Sequence, residues 1–340
     1  MREKMERILV VGVNWLGDSL LTTPAFRALK KKFPDSYLAA MVVERVSEVF
    51  EGNPYIDEVI VFDEKGRHKG FFAKLKFIKF LKKKKFNTVF LIHRSLTRAF
   101  ICFLAGIKLR IGYPRPKNSF ILNQKVEPPK GLVHRQDRYL YLFEKSGIVI
   151  EDRLPDFFIS KEVRDKVSKD LEQIKQGQAF LIGINPSANW ELKRWPGKYF
   201  ADLADSLIKD FNAAIIFIGT KAQGAVIEEV RAKMSQNSFN FSGKTNLKEL
   251  GALMKNLKLF ISNDSGPAHL AASLEVSTVV IFGPTSAEAT APRGRVVKVV
   301  RKDVDCRIPC YKLECKDNTC LKDLSVENVY SQVKDILNNG

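Results

Sequence analysis

Residues 7–24 read RILVVGVNWLGDSLLTTP: an apolar run, a turn holding two glycines, then a helical pattern that continues to residue 32. Strand, tight turn and helix in that order open a βα unit, from which parallel sheets are built. The turn comes close to a phosphate-binding loop, which reads G-x-x-x-x-G-K-[ST] between a strand and a helix. Gly12, Gly17 and Ser19 hold the required places, but Asp18 stands where the phosphate-binding lysine belongs. A P-loop enzyme is therefore excluded, and the spacing is also wrong for the G-x-G-x-x-G turn of a dinucleotide oxidoreductase.

The same unit recurs along the chain. Strands are expected at 7–13, 37–43, 58–62, 88–92 and 110–112, with helices at 20–32, 71–84, 95–104 and 136–145. An extended stretch, 151–158, and a charged helix, 161–175, precede a second series. Its strands are expected at 180–184, 213–218, 257–261, 278–282 and 296–300, with a helix at 197–209. The alternation predicts two α/β domains, each a doubly wound parallel sheet, over 1–155 and 156–324, with a cleft between them. Residues 325–340 are set apart as a carboxyl-terminal amphipathic helix in which Val326, Val329, Tyr330, Val333 and Leu337 share a face.

The totals narrow the functional classes. The chain has 340 residues, 45% apolar and 10% aromatic, which is ample for two cores and unlike a disordered composition. The best candidate for a membrane span, 99–107, falls far short of the ~20 residues needed. The charged amino terminus leads straight into a strand with no cleavage site of small residues, so a cytoplasmic protein is expected. A net charge of +18 suits nucleic acid, an anionic membrane or a phosphorylated substrate, and alone does not choose among them. Four of the five cysteines, Cys306, Cys310, Cys315 and Cys320, are spaced C-x3-C-x4-C-x4-C. Paired C-x2-C units and a nearby histidine are missing, and buried thiols, a disulfide and a metal site all stay open. Cys102 reads as a packing residue.

Two further segments carry chemistry. ISNDSGPAHLAA at 261–272 ends a strand and begins a helix. Asp264 and Ser265 stand at the cap, Pro267 suits the first turn, and Gly266 leaves room for a ligand against the backbone. Ordinary capping would account for Asp264 or Ser265, but not for Gly266, Pro267 and His269 together. NPSANWELKRWP at 185–196 sets Lys193 and Arg194 beside Trp195 in another strand-to-helix loop, a pair suited to a pyrophosphate. If this half holds phosphate, Asp18 in the first half is available to take a proton as a general base. Its other reading is a helix-dipole carboxylate.

VNWLGDSLLTTPAFRAL at 13–29, NPSANWELKRWPGKYFADLA at 185–204 and SNDSGPAHLAASLEVSTVVIFGPT at 262–285 together resemble the ADP-heptose:lipopolysaccharide heptosyltransferases of glycosyltransferase family 9. KGRHKG at 65–70 and CRIPCYKLECKDNTCLKDLS at 306–325 are most similar to the heptosyltransferase II group, which adds the second heptose of the inner core. The resemblance implies a GT-B fold of two Rossmann-like domains facing a cleft, the first for the acceptor and the second for ADP-heptose. It implies inverting transfer with no required metal or other cofactor. Asp18 falls on the catalytic aspartate, Lys193 on the lysine at the donor phosphates, and Asp264, Ser265, Gly266 and His269 on the donor loop. Arg194 joins them through its place beside Lys193. The acid that commonly meets the ribose has no counterpart in 219–224, which leaves Gln223 or Glu228 for that role.

An anionic lipopolysaccharide acceptor gives the charge a use. Residues 65–86 hold ten Lys or Arg and no acid, with Phe71, Leu75, Ile78 and Leu81 on one helical face. Such a helix suits the cytoplasmic surface of the inner membrane, or else packs on a core with its lysines in water. Arg94, Arg98 and Arg110 are candidates for acceptor phosphates. The expected protein is a monomer that binds no nucleic acid. Transfer at another core position, and a basic nucleotide- or nucleic-acid-binding protein, are the alternative readings.

Overall fold

The computed structural model describes residues 6–175, 177–310 and 314–339. The chain divides into two compact units, Met1–Phe158 and Ile159–Gly340. The first runs β1 (Arg7–Val11), α1 (Leu16–Lys32), β2 (Tyr37–Val42), α2 (Ser47–Phe50), β3 (Glu58–Val61), α3 (Phe71–Lys83), β4 (Thr88–Leu91), α4 (Leu96–Leu104), β5 (Leu109–Gly112), β6 (Gln124–Lys125) and α5 (Arg135–Glu144). Its strands pair in parallel in the order β3-β2-β1-β4-β5-β6. In β1, Ile8 through Val11 are wholly buried, as expected of a parallel strand covered on both faces.

The second unit runs α6 (Lys161–Glu172), β7 (Phe180–Asn185), α7 (Gly197–Phe211), β8 (Ala213–Phe217), α8 (Gly224–Arg231), β9 (Phe239–Asn240), α9 (Leu247–Lys255), β10 (Leu257–Asn263), α10 (Gly266–Ser273), β11 (Thr278–Phe282), α11 (Ala287–Thr290), β12 (Val297–Arg301), α12 (Thr319–Lys322) and α13 (Val326–Asn339). Again all pairings are parallel, in the order β12-β11-β10-β7-β8-β9. Counted from β7 as its first strand, this sheet repeats the order of the first sheet. Each therefore reverses its winding once, between β1 and β4 and between β7 and β10. At such a switch point the crossovers leave in opposite directions and open a crevice beyond the carboxyl ends of the strands.

The chain departs from the sequence reading at several boundaries. α1 begins at Leu16, not near residue 20, so Asp18 lies in the first turn of a helix and not on a loop. The preceding turn is short because it presses on β2: a Cβ at Gly12 would come 2.9 Å from Val42 Cγ1. Strands β6 and β9, two residues each, were not expected; they are too short to show any periodicity. The extended stretch 151–158 lies along α1, where Arg27 pairs with Asp156 and Nη2 donates to the Leu154 carbonyl at 3.1 Å. Helix α13 belongs to the second core: Val329, Val333 and Ile336 are buried beside α7, β11 and β12. The indole of Trp195 donates to the Leu324 carbonyl at 2.8 Å, tying the chain just before α13 to the loop after β7.

On α3, the face expected to hold Phe71, Leu75, Ile78 and Leu81 divides. Phe77 and Leu81 enter the first core with Ile78 against it, while Phe71 and Leu75 point outward. Phe260, fully buried in the central strand β10, tests the second core. Phe260→Ala should cost roughly 3–5 kcal/mol in denaturant unfolding; a cost below about 1 kcal/mol would mean that β10 is not central.

Candidate functional site

The first unit builds its site from the loops after β1 and β4, the two that flank its switch point. The turn 12–15 is held from within by Arg98, whose guanidinium is buried and donates to Gly12 O at 3.2 Å and Asn14 Oδ1 at 2.9 Å. From outside, Arg45 Nε donates to Asn14 O at 2.7 Å and its guanidinium lies 4.4 Å above the Trp15 ring. This fixes the entry to α1 and so the place of Asp18, which is buried in the first turn. A single nitrogen, Arg135 Nη1 at the start of α5, donates to both Asp18 oxygens at 3.2 Å. One turn further on, the Tyr139 hydroxyl bonds to Asp18; burial, then the Asp18 charge, push that phenol well above its usual range.

The three arginines expected to meet acceptor phosphates are not grouped. Arg98 is committed to the turn 12–15. Arg110 lies near the start of β5, paired with Val89, away from the carboxyl end of the sheet. Its guanidinium donates to the carbonyls of Ile121 at 2.6 Å and Lys108 at 3.0 Å. Arg94, just past β4, stays exposed at the carboxyl edge and joins a different set. A cavity of about 470 Å³ is lined by Arg94, Leu96, Arg115, Lys117 and Asn118. A second, of about 230 Å³, adds His93, Tyr113 and Arg138. Among the described residues, no carboxylate lines either cavity. Burial and the Arg94 charge hold the Arg115 guanidinium below its ordinary value. Burial and the Arg98 charge take His93 down to about 4, so it is neutral at neutral pH. Arg115 and Arg138 had no sequence signal beyond their charge; only the fold brings them to Arg94.

In the second unit the switch point gathers the expected donor residues onto two loops, 186–196 after β7 and 264–265 after β10. Lys193 ends a short 3-10 turn, Glu191–Lys193. Its Nζ lies 2.6 Å from Asp264 Oδ2, which also accepts from Thr285 Oγ1 at 2.8 Å. Asn263 stitches the loops together: its Oδ1 accepts from Trp195 N at 3.0 Å and its Nδ2 donates to Pro186 O at 2.8 Å. Arg194 Nε donates to Ala188 O at 3.2 Å and braces the same loop.

Ser265 occupies the cap position of α10, yet its side chain caps nothing. Its hydroxyl lies 2.8 Å from Ser262 Oγ and 3.3 Å from Asn185 Nδ2. Asp264 is likewise turned to Lys193 and Thr285. The ordinary capping account of this motif therefore fails. The leading amides of α10, from Gly266 onward, keep the positive helix end uncompensated by a side chain, as an anion site requires. His269 is buried one turn into the helix. Neither candidate for the ribose is unoccupied: Gln223 Oε1 accepts from Thr220 N at 2.9 Å, and Glu228 accepts from Arg231 at 2.8 Å and Asn240 at 2.6 Å.

The cysteine segment adjoins this site. Cys310 N donates to Pro284 O at 3.1 Å, and a Cβ at Gly283 would come 2.6 Å from Leu321 Cγ. All four thiols are free, with Cys306 and Cys315 exposed instead of buried, while Cys102 is buried as expected. Tyr311–Leu313 lie outside the described residues. Among the described residues no three His, Cys, Asp or Glu side chains are placed to share an ion.

Known proteins bear on the sites described in each unit. The model of glycosyltransferase family 9 (heptosyltransferase) matches residues 74–320. Lipooligosaccharide heptosyltransferase 2 of Campylobacter jejuni (serotype O:2) is 29% identical over 334 residues, 96% of this chain and 97% of that one. The family 9 glycosyl transferase structure from Veillonella parvula superposes with a TM-score of 0.88 at 25% identity, covering 100% of this chain and 99% of the other. The E. coli ADP-heptose lps heptosyltransferase II structure gives 0.81 at 22% identity, covering 98% and 99%. The expected α/β, GT-B class of two doubly wound sheets holds. With strand order, fold and family match in agreement, the chain belongs to glycosyltransferase family 9, the heptosyltransferases.

Proposed function

We propose that the chain moves heptose, with inversion, from ADP-heptose to the inner core of lipopolysaccharide, and that it adds the second heptose. One observation carries this reading. In the first unit the switch point carries a buried carboxylate, Asp18, in the first turn of α1; in the second it carries Lys193, paired with Asp264, beside a helix start with no side-chain cap and no acid in its first turn.

The donor diphosphate lies against Lys193 and the amides opening α10. Asp264 sets the lysine's position; a carboxylate would repel phosphate if it met it directly. As the glycosidic bond breaks, negative charge gathers on ADP, and preplaced donors stabilise it without reorganising. The sugar becomes cationic, as in glycosyl transfer generally. In the first unit the basic cavities around Arg94 and Arg115 hold acidic groups of the acceptor. An acceptor hydroxyl attacks the anomeric carbon from the side opposite ADP, and Asp18 takes its proton.

Arg135 and Tyr139 hold the Asp18 carboxylate in place. Proton transfer is late, after the attacking oxygen has gained acidity from its new bond to carbon. Arg135 is half exposed, and an acceptor anion that draws it away frees the Asp18 oxygens for the acceptor hydroxyl. The acceptor is an anionic lipid, so the reaction takes place at the inner-membrane surface.

Three measurements test the scheme. Asp18→Asn should leave ADP affinity within about twofold and lower turnover by 10²–10⁴, the range typical of a lost general base; wild-type turnover would reduce Asp18 to a helix-dipole residue. Lys193→Ala should weaken ADP binding in calorimetry by about tenfold or more, the worth of a hydrogen bond to a charged group. Core acceptors bearing zero, one or two heptoses should be used in the order one, then far behind, zero and two; preference for the heptose-free acceptor would move the enzyme to the first transfer.

A further inference from the structure

We propose that helices α3 and α4 of the first unit form one membrane-docking face, which seats the Arg94–Arg115–Lys117 cavity at the headgroup layer of an anionic bilayer. The proposal rests on the reading above that the acceptor is an anionic lipid, and it names the surface that reading leaves unspecified.

The observation begins with α4. Its inner side, with Ala99, Ile101 and Cys102, is core. Its outer side exposes Leu96, Phe100, Phe103 and Leu104, each more than 40%, and carries no charge. Phe100 and Phe103 lie stacked, with centroids 6.2 Å apart. A water-facing helix side made of four large apolar groups is what a soluble surface avoids. Helix α3 packs beside α4 and continues the exposure with Phe71 at 70%, Phe72 at 83%, Leu75 and Phe80. Unlike α4 it carries five lysines and no acid, and Lys76, Lys79, Lys82 and Lys83 are exposed.

Charge selects the occupant. A second copy of the chain would bring two rows of lysine together with no acid on either helix to offset them. An anionic bilayer meets both demands at once, taking the aromatic side chains at the acyl boundary and the lysines at the phosphates. Leu96 links this face to function, because it belongs both to the exposed side of α4 and to the wall of the 470 Å³ cavity. A protein lying on α4 holds that cavity beside the headgroups, where the anionic groups of a membrane-anchored saccharide are found.

The test is flotation of the full-length protein with vesicles of phosphatidylcholine, or of equal parts phosphatidylcholine and phosphatidylglycerol, with no donor or acceptor present. Wild type should float with the anionic vesicles only, and lose that binding in high salt. Phe100→Ser with Phe103→Ser should lower the bound fraction by about tenfold. So should Lys76→Gln, Lys79→Gln and Lys83→Gln together. Melting temperatures should stay near wild type, since all five positions are exposed, and turnover on a detergent-free, truncated acceptor should not change. The proposal fails if wild type stays at the bottom of the gradient, or if both well-folded variants float as wild type does. It fails equally if wild type is a dimer in solution that the Phe variant converts to monomer without any change in vesicle binding. Vesicle binding without heptosyl transfer would keep the docking face and remove the proposed function.

Discussion

A doubly wound parallel sheet must leave one gap uncrossed. Neighbouring strands that follow one another in the chain are joined by crossovers that pass over the sheet, helical in all but the β5–β6 case, but where the winding reverses nothing passes over. Loops beyond that gap therefore have room, and the helices they lead into point their positive ends toward it. Both units have their reversal at the same place in the strand order. The proposed division of roles rests on the side chains gathered there: Asp18, in the first turn of α1, and Arg94 in the first unit, Lys193 and Asp264 in the second.

Those side chains are not held by the loops alone. Buried polar groups cost free energy unless they are paired, and here that requirement doubles as a positioning device. The Asn263 amide satisfies its oxygen on one part of the donor loop and its nitrogen on another. The buried Arg98 guanidinium does the same for the turn before Asp18. Removing either would leave carbonyl or amide groups without partners beside the candidate site residues. The Lys193–Asp264–Thr285 chain adds an electrostatic element: one carboxylate oxygen holds both the lysine and the threonine hydroxyl.

The architecture was legible in the sequence because parallel strands are apolar throughout and stand between helices of amphipathic period. The gathering of the candidate donor residues was legible because Asp264, Gly266 and Pro267 stand at a strand–helix junction, which the fold places at the switch point beside Lys193. The start of α1 was misplaced by four residues, since Gly17 argues against a helix and the phosphate-loop spacing suggests a longer turn. Arg98 read as a candidate for acceptor phosphates, because nothing local tells that a guanidinium two residues into a helix turns inward to a carbonyl 86 residues earlier. Arg135 and Tyr139 were missed for the same reason; their contact with Asp18 spans more than a hundred residues. The exposure of the outer side of α4 had no sequence signal, since the helix is apolar on both sides and its pattern does not tell which of them packs.

The bond from the Trp195 indole to the Leu324 carbonyl ties the end of the chain to the loop proposed to hold the donor. Trp195 follows Lys193 and Arg194 directly, and its backbone amide is fixed by Asn263, so the ring is an anchor between the donor loop and the last helix. Trimming α13 as an inert appendage would strip cover from a buried aromatic and loosen the lysine two positions away. Affinity tags and truncations at this terminus thus bear on the conformation of the Lys193 loop as well as on solubility.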